Sequence, residues 1–127
     1  MLSQAPLYAY VPVHDLERAR AFYEQKLGLQ PGEPVAGGLT FRCGAGTAFF
    51  MYLSAGAGTN KASTAFWTVK DVRATVTWLK RRGVVFEEYD TPDMKTVDSI
   101  FTGGGAAAAW FKDTEGNILA IISEAPA

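Results

Sequence analysis

The stretch Trp110-Phe-Lys-Asp-Thr-Glu-Gly-Asn-Ile-Leu-Ala-Ile-Ile122 is the segment on which the fold prediction rests. It predicts two strands joined by a tight turn. Asp113 can accept hydrogen bonds from its own downstream backbone, and Gly116 tolerates the positive φ that closes a short hairpin. The apolar run Ile118 to Ile122 ends at Ser123-Glu124, and a short run bounded in this way is typical of a buried strand. We therefore expect a hairpin near the end of the chain.

The composition is that of one globular domain. With 127 residues, the chain can bury roughly two thirds of its unfolded surface. Its formal net charge of −1 leaves no basic surplus for phosphates, which argues against a nucleic-acid partner. The single cysteine, Cys43, excludes an intrachain disulfide and a multi-cysteine zinc site. No signal peptide and no apolar run of the ~20 residues that span a bilayer are visible, so we expect a cytoplasmic protein without membrane contact.

One pattern of strands, helix and glycine recurs in the two halves of the chain. Asp15 and Asp71 are good helix N-caps, and each begins a stretch with apolar residues at helical spacing that ends at a glycine, Gly28 or Gly83. Strands precede and follow each helix. The predicted strands cover residues 7–13, 39–43, 47–54, 63–69, 84–89, 100–112 and 118–122, with at most a short edge strand within 31–38. The order β-α-β-β-β therefore occurs twice, as an internal duplication would produce.

The two halves are predicted to be modules of one domain that spans residues 1–127. Module 1 covers about residues 7–54, and module 2 covers about residues 63–124. The linker between them, residues 55–62, is made of small and polar residues and is predicted to be flexible.

Three segments carry a resemblance to a known family: Val13-His-Asp-Leu-Glu-Arg-Ala-Arg-Ala-Phe-Tyr23, Phe66-Trp-Thr-Val-Lys-Asp-Val72 and Phe111-Lys-Asp-Thr-Glu-Gly-Asn117. Over residues 7–124 the chain resembles the vicinal oxygen chelate superfamily, which includes glyoxalase I, extradiol dioxygenases, fosfomycin-resistance enzymes and bleomycin-resistance proteins. The third segment stands where the family usually has Asp-Pro-x-Gly-Asn, with Thr114 replacing the proline. The resemblance implies an α+β fold in which two βαβββ modules form one curved, cup-shaped mixed sheet with the helices outside.

Enzymes of this family generally hold one divalent metal ion in the cup. The resemblance places the usual histidines at Tyr8 and Thr64 and the usual glutamate of the last strand at Ala120, and Tyr52 is the only polar candidate for the fourth ligand. Alanine cannot ligate a metal, and neutral hydroxyl groups are poor ligands beside imidazole and carboxylate. The only histidine, His14, is expected to point away from the cup as a solvated loop residue. We therefore expect no metal, no other cofactor and no catalytic residue.

Strand alternation assigns an apolar and aromatic surface to the cup. Such a surface suits a small, flat organic molecule held by shape and a few hydroxyl groups. The alternative is that the same aromatic residues fill the core or an interface between subunits. The predicted ligand-binding residues are Tyr8, Tyr10, Tyr52, Thr64, Phe66, Trp110 and Ala120.

The leading functional hypothesis is metal-independent binding of a small aromatic or apolar organic molecule, as in bleomycin-resistance proteins. One alternative is a lyase, isomerase or dioxygenase relative with an unusual or displaced site. Another is a non-catalytic domain that only pairs with other domains. The resemblance also implies a homodimer, and the glycine-rich linker would allow the modules to be swapped between subunits.

Overall fold

The computed structural model describes residues 1–124 as two modules with the same topology. A π-helical segment, Phe22–Lys26, continues the first helix, and short 3₁₀ turns occupy Leu2–Gln4 and Gly44–Gly46. The strands and helices are β1 (Ala9–Val13), α1 (Leu16–Ala21), β2 (Glu33–Val35), β3 (Gly38–Arg42), β4 (Ala48–Leu53), β5 (Ala65–Thr68), α2 (Val72–Arg81), β6 (Phe101–Gly103), β7 (Ala106–Lys112) and β8 (Ile118–Glu124). The predicted double β-α-β-β-β order is confirmed.

The strands form two four-stranded mixed sheets, ordered β1-β4-β3-β2 and β5-β8-β7-β6. In each sheet the first strand of the module runs parallel to the last, and the other neighbours are antiparallel. Because parallel neighbours cannot be joined by a tight turn, the helix and two further strands intervene in each module. Strands β1 and β5 are not paired with each other, so the surface that we expected as one sheet consists of two.

Both helices begin at the predicted residues. The Asp15 carboxylate accepts a hydrogen bond from the backbone N–H of Arg18 at 3.0 Å, and the Asp71 carboxylate accepts one from Ala74 at 3.1 Å. Each bond satisfies a backbone donor that has no partner inside the helix. Gly28, which follows the first helix and its π-helical continuation, has a φ of +75°. Glycine adopts this conformation at little steric cost because it has no Cβ atom. Within residues 1–124, neither helix is both long enough and apolar enough to cross a membrane.

One hydrophobic core joins the two modules. The buried ring of Tyr23, in the π-helical segment, lies 5.8 Å from Phe41 and 5.5 Å from Phe49 of the first sheet. The neighbouring Phe22 lies 6.4 Å from Phe111 of the second sheet. The segment after α1 therefore packs against both sheets, and the helix-side face of each sheet is buried.

Two strand predictions in module 2 are wrong. Residues 84–89 form no strand, because only Phe86 makes a β-bridge, to Phe111. Residues 100–112 form two strands instead of one, because Gly104 and Gly105 adopt φ values of +61° and +80° and reverse the chain. The sequence did not indicate this turn, because apolar residues lie on both sides of it.

The predicted hairpin between β7 and β8 is confirmed, and its turn is held by its own polar side chains. One oxygen of the Asp113 carboxylate accepts hydrogen bonds from the backbone N–H groups of Glu115 and Asn117, each at 2.9 Å. Gly116 has a φ of +87°. The side chains of Asp113, Glu115 and Asn117 are polar, yet these residues are buried, with exposed fractions of 6%, 5% and 3%.

The partners of these buried groups lie in module 1, about 100 positions earlier in the chain. The Tyr23 hydroxyl donates to Asp113 Oδ2 at 2.6 Å, and Asn117 Nδ2 donates to the carbonyl of Pro12 at 2.8 Å. The backbone N–H of His14 donates to the Glu115 carboxylate at 2.9 Å. We call residues 113–117 the inter-module hairpin, because they connect the end of module 2 to the β1–α1 junction of module 1. His14 itself is exposed, as predicted.

Candidate functional site

The outward face of module 1 carries a group of aromatic side chains. Tyr10 lies opposite Phe50 in the sheet, and its ring lies 4.2 Å from that of Tyr52 and 5.7 Å from that of Phe50. Tyr10 is 62% exposed, and Tyr8, just before β1, is 46% exposed. An open cavity of about 500 Å³ on this face is lined by Tyr8, Tyr10, Phe50 and Thr40. We call Tyr8, Tyr10, Phe50 and Tyr52 the module 1 aromatic group.

The outward face of module 2 carries a second group. Phe66 of β5 lies opposite Ala120 of β8, which in turn lies opposite Trp110 of β7. The Trp110 ring is flanked by Tyr89 at 5.7 Å and by Phe101 at 6.3 Å. Phe66 is 59% exposed, whereas Ala120 is 1% exposed and offers almost no surface to a ligand. We call Phe66, Tyr89, Phe101 and Trp110 the module 2 aromatic group.

The structure brings the predicted site residues together in two places, not one. Tyr8, Tyr10 and Tyr52 belong to the module 1 group, and Phe66 and Trp110 belong to the module 2 group. Thr64 precedes β5, where its backbone N–H donates to the carbonyl of Ile118 at 2.8 Å. Within residues 1–124, no ring contact joins the two groups.

A cleft of about 600 Å³ separates the first strands of the two modules. Ala9 and Val11 of β1 and Trp67 of β5 line it, and the exposed Phe66 places it next to the module 2 aromatic group. Cys43 also lines the cleft and is half-buried. Sequence reasoning missed this cleft, because it depends on how two strands that are distant in the chain approach each other.

Other residues of the candidate site were missed for different reasons. Phe50 stands two residues before Tyr52 in the same strand, so strand alternation could have placed both on one face. Phe101 was included in a strand that the structure divides into two. Tyr89 lies in the irregular segment between α2 and β6, and no periodic signal in the sequence places its ring beside Trp110.

The pKa values of Tyr89, Tyr23 and Glu115 are shifted, and of these three residues Tyr89 alone belongs to an aromatic group. Burial, followed by the negative charge of Glu87, raises the pKa of the Tyr89 hydroxyl, which therefore stays protonated at neutral pH. Burial, followed by the charge of Asp113, raises the pKa of the Tyr23 hydroxyl in the core. Burial opposes ionisation of Glu115, but hydrogen bonds from Arg18, from Thr114 and from backbone N–H groups lower its pKa to about 2.

The side chains at the four positions where the resemblance implies metal ligands do not fit a divalent metal ion. Tyr8, Tyr52 and Thr64 offer only neutral hydroxyl groups, and Ala120 offers no donor atom at all. Among residues 1–124, no three side chains of histidine, cysteine, aspartate or glutamate are close enough together to hold a metal ion.

Several solved structures share this fold. UcmS2 matches with a TM-score of 0.69 and 19% identity, over 94% of this chain and 98% of the other. Lactoylglutathione lyase from Agrobacterium tumefaciens matches with a TM-score of 0.66 and 17% identity, over 94% and 93% of the two chains. TnmS3, an antibiotic binding protein from Streptomyces sp. CB03234, matches with a TM-score of 0.57 and 23% identity, over 96% and 98%.

The family of the chain is identified from its sequence. No curated protein matches the chain. The family model of the Glyoxalase/Bleomycin resistance protein/Dioxygenase superfamily matches residues 6–121, which is nearly the whole sequence. The resemblance that the sequence suggested is thus confirmed, and the chain belongs to the Glyoxalase/Bleomycin resistance protein/Dioxygenase superfamily.

Proposed function

We propose that this chain binds a small aromatic or apolar organic molecule without a metal ion. The observation that carries the proposal is the row formed by Phe66, Ala120 and Trp110. Where enzymes of the family usually have a metal-binding glutamate, this chain has a buried alanine between two aromatic residues. An aromatic surface of this kind favours planar, apolar ligands over the polar substrates that a metal centre would activate.

The ligand is held by aromatic contact and oriented by hydroxyl groups. Trp110 offers the largest apolar side chain and an indole N–H, so its removal should weaken binding by about 1–3 kcal/mol. Tyr8 supplies a hydroxyl group at a position where enzymes of the family usually have a metal-binding residue. The loss of one hydrogen bond from this hydroxyl group should weaken binding of the small molecule by about 1 kcal/mol. The proposed ligand-binding residues are those predicted from the sequence, of which Ala120 contributes only by leaving the space between Phe66 and Trp110 free of a longer side chain: Tyr8, Tyr10, Tyr52, Thr64, Phe66, Trp110 and Ala120.

We also propose that the complete site forms in a cytoplasmic homodimer. Two large side chains on the outward faces, Tyr10 and Phe66, are 62% and 59% exposed in a single chain. Exposed apolar patches in a soluble domain commonly mark binding surfaces. If modules are paired or swapped between subunits, the module 1 group of one chain and the module 2 group of the other face the same ligand.

Binding is tested by calorimetry with a library of aromatic antibiotics and aromatic metabolites. The library begins with antibiotics because TnmS3, a protein of the same fold, is an antibiotic binding protein. Trp110→Ala and Tyr8→Phe are the test variants, and Trp78→Ala is the matched control because Trp78 is 45% exposed on α2, outside both aromatic groups. Trp67→Ala is added to test the cleft.

The proposal predicts that Trp110→Ala loses affinity while Trp78→Ala does not. Equal affinity of wild type and Trp110→Ala for every hit would refute the site, and the absence of any hit would refute the function.

A mixing experiment tests whether the site lies between subunits. Tyr10→Ala and Trp110→Ala chains carry defects in different modules, and they are co-expressed with different tags and purified as heterodimers. A site shared between subunits leaves one of the two sites intact, so the heterodimer should bind at half stoichiometry. A site within one chain leaves none intact, and the heterodimer would then bind no better than the homodimers of each variant.

A further inference from the structure

The segment between α2 and β6 contains a loop that is closed by one carboxylate. We call residues 88–99 the 88–99 loop. Glu88 Oε1 accepts hydrogen bonds from the backbone N–H of Ser99 and from Thr96 Oγ1, each at 3.0 Å, and Glu88 Oε2 accepts one from Ser99 Oγ. Ser99 has no exposed surface. The hydroxyl of Ser99 contributes most to lowering the pKa of Glu88, so this group is ionised at neutral pH.

The backbone at the end of this loop adopts a conformation that needs support. Asp98 and Ser99 have φ values of +51° and +73°, although neither is glycine. Hydrogen bonds in both directions between Val97 and Ile100, at 2.8 and 3.0 Å, close a two-residue turn around them. Turns with two positive φ angles usually carry Asn-Gly, because other residues are strained there. The conformation therefore persists because its surroundings hold it, and the Glu88 carboxylate is the group that accepts both donors of Ser99.

Thr96 connects the Glu88 carboxylate to Tyr89. Thr96 Oγ1, which bonds to Glu88, also accepts a hydrogen bond from the backbone N–H of Tyr89 at 2.8 Å. The backbone N–H of Thr96 donates to the carbonyl of Tyr89 at 2.8 Å. The Tyr89 ring then meets the Trp110 ring edge-to-face, with an angle of 78° between the planes. Tyr89 is thus next to Glu88 in the chain and in contact with Trp110, the residue whose removal we expect to weaken binding more than that of the Tyr8 hydroxyl.

We propose that Glu88 is a positioning residue of the binding site, which fixes Tyr89 against Trp110 and thereby sets the size of ligand that the module 2 aromatic group accepts. This role rests on the function proposed above. When Glu88 loses its bonds to Thr96 and Ser99, Tyr89 is free to leave Trp110. Small planar ligands then lose their contact with the fixed Tyr89 ring, and larger ligands have more space beside Trp110.

The test compares Glu88→Ala with Glu88→Gln and with Glu87→Ala. Glutamine keeps an oxygen for the N–H of Ser99 and can donate to Ser99 Oγ, so it should rescue most of the effect. Glu87→Ala is the matched control, because it removes the same charge from the adjacent residue, which pairs with Lys112 at 3.4 Å. Hydrogen exchange of residues 89–99 is measured without ligand, and affinities are measured for hits of graded size from the aromatic library.

Glu88→Ala is expected to speed exchange in the 88–99 loop and to weaken binding of the smallest hits roughly two- to tenfold, the range of one lost hydrogen-bonded contact. The size preference should shift toward larger hits. Glu88→Gln should resemble the wild type, and Glu87→Ala should change neither readout. Tyr89→Ala should reproduce the new size preference, and the double variant Glu88→Ala, Tyr89→Ala should add nothing to it, because both changes act on one contact.

The results that would overturn the proposal can be distinguished from those that would overturn the proposed function. If the wild type binds hits but Glu88→Ala keeps their order of affinity, or if the effects of the two substitutions simply add, Glu88 has no positioning role while the proposed function stands. If the wild type binds none of the library, the proposed function fails and the role of Glu88 in ligand selection fails with it. Unchanged hydrogen exchange in Glu88→Ala would also refute the closure of the loop by this residue.

Discussion

Arg18 and Glu115 join the two modules through a pair of charge-assisted hydrogen bonds. Arg18 Nε lies 2.8 Å from Glu115 Oε2, and a second guanidinium nitrogen lies 3.0 Å from Oε1. The Glu115 side chain has no exposed surface, whereas that of Arg18 is 52% exposed. Glu115 also accepts hydrogen bonds from the backbone N–H groups of His14 and Asp15, just before α1. A buried carboxylate from the end of the chain therefore holds the start of the first helix.

This pair predicts a loss of stability in acid. The pKa of Glu115 is lowered from its usual 4.5 to about 2 in the folded protein. A carboxyl group with a depressed folded pKa stabilises the protein above its unfolded pKa, and this contribution disappears as the pH falls through the folded value. We expect the free energy of unfolding to fall between about pH 4.5 and pH 2, with a smaller pH dependence in Glu115→Gln. Urea titrations across this range provide the measurement.

The control for this prediction is Glu33→Gln. Glu33 forms an ion pair of similar length with Arg42, at 3.0 Å, but both side chains are more than half exposed. An exposed pair contributes only about 0–1 kcal/mol. Glu115→Gln should therefore lower stability at neutral pH by more than Glu33→Gln does. Equal stability of the two variants would contradict the assigned role of the buried pair.

Tyr23→Phe should weaken the contact between the π-helical segment and the inter-module hairpin. The Tyr23 hydroxyl donates to the buried Asp113 carboxylate at 2.6 Å, and hydrogen bonds to charged groups contribute about 1.5–3 kcal/mol. Asp113 Oδ2 keeps its bond from Asn117 Nδ2 at 2.9 Å, so a loss near the lower end of this range is expected in urea denaturation. Tyr10→Phe removes an exposed hydroxyl and should change stability little. A Tyr23→Phe variant as stable as wild type would show that Asp113 does not depend on this donor.

The two helix caps predict matched losses of stability. Asp15→Ala and Asp71→Ala each remove the side-chain acceptor of one backbone N–H at a helix start. Each substitution should lower the free energy of unfolding by about 0.5–2 kcal/mol in urea titrations. Asp93→Ala, in the exposed part of the 88–99 loop, is the control. If neither cap variant differs from the control, the helix starts contribute less than their geometry indicates.

Purified protein is expected to contain no stoichiometric zinc, nickel, manganese or iron. The reason is the donor chemistry at Tyr8, Tyr52, Thr64 and Ala120, which lacks imidazole and carboxylate. The measurement is elemental analysis after purification without chelator, with a metal-binding member of the family as the positive control. About one equivalent of tightly held metal would favour the enzyme hypothesis over metal-independent binding.

Local chemistry made much of the fold predictable. Asp15 and Asp71 could be recognised as caps because an N-cap acts on backbone within its own turn. Gly116 could be placed in a turn because the hairpin is closed by residues adjacent in the chain. The β-bridge of Phe86 was mistaken for a strand because apolar residues at that position pack against Phe111 without continuing the ladder. A short apolar run does not reveal whether its neighbour offers further hydrogen bonds.

The candidate site was less predictable than the fold, because it depends on contacts between distant residues. Strand alternation placed Phe66 and Ala120 on one face, since each strand keeps its period of two, and the sheet register puts Trp110 opposite Ala120. It could not show that Ala120 is covered or that Tyr89 reaches Trp110. Those facts arise from side chains of different elements, which no local pattern encodes.

The inter-module hairpin also constrains when the protein can complete its fold. The bonds from His14, Arg18 and Asn117 connect residues 97 to 105 positions apart. During synthesis from the N-terminus, the first helix is made long before residues 113–117, so its start lacks its final acceptors until those residues have also been made. Contacts of such long sequence separation slow folding. Any chain that ends before the hairpin therefore leaves module 1 unfinished, however complete its own strands are.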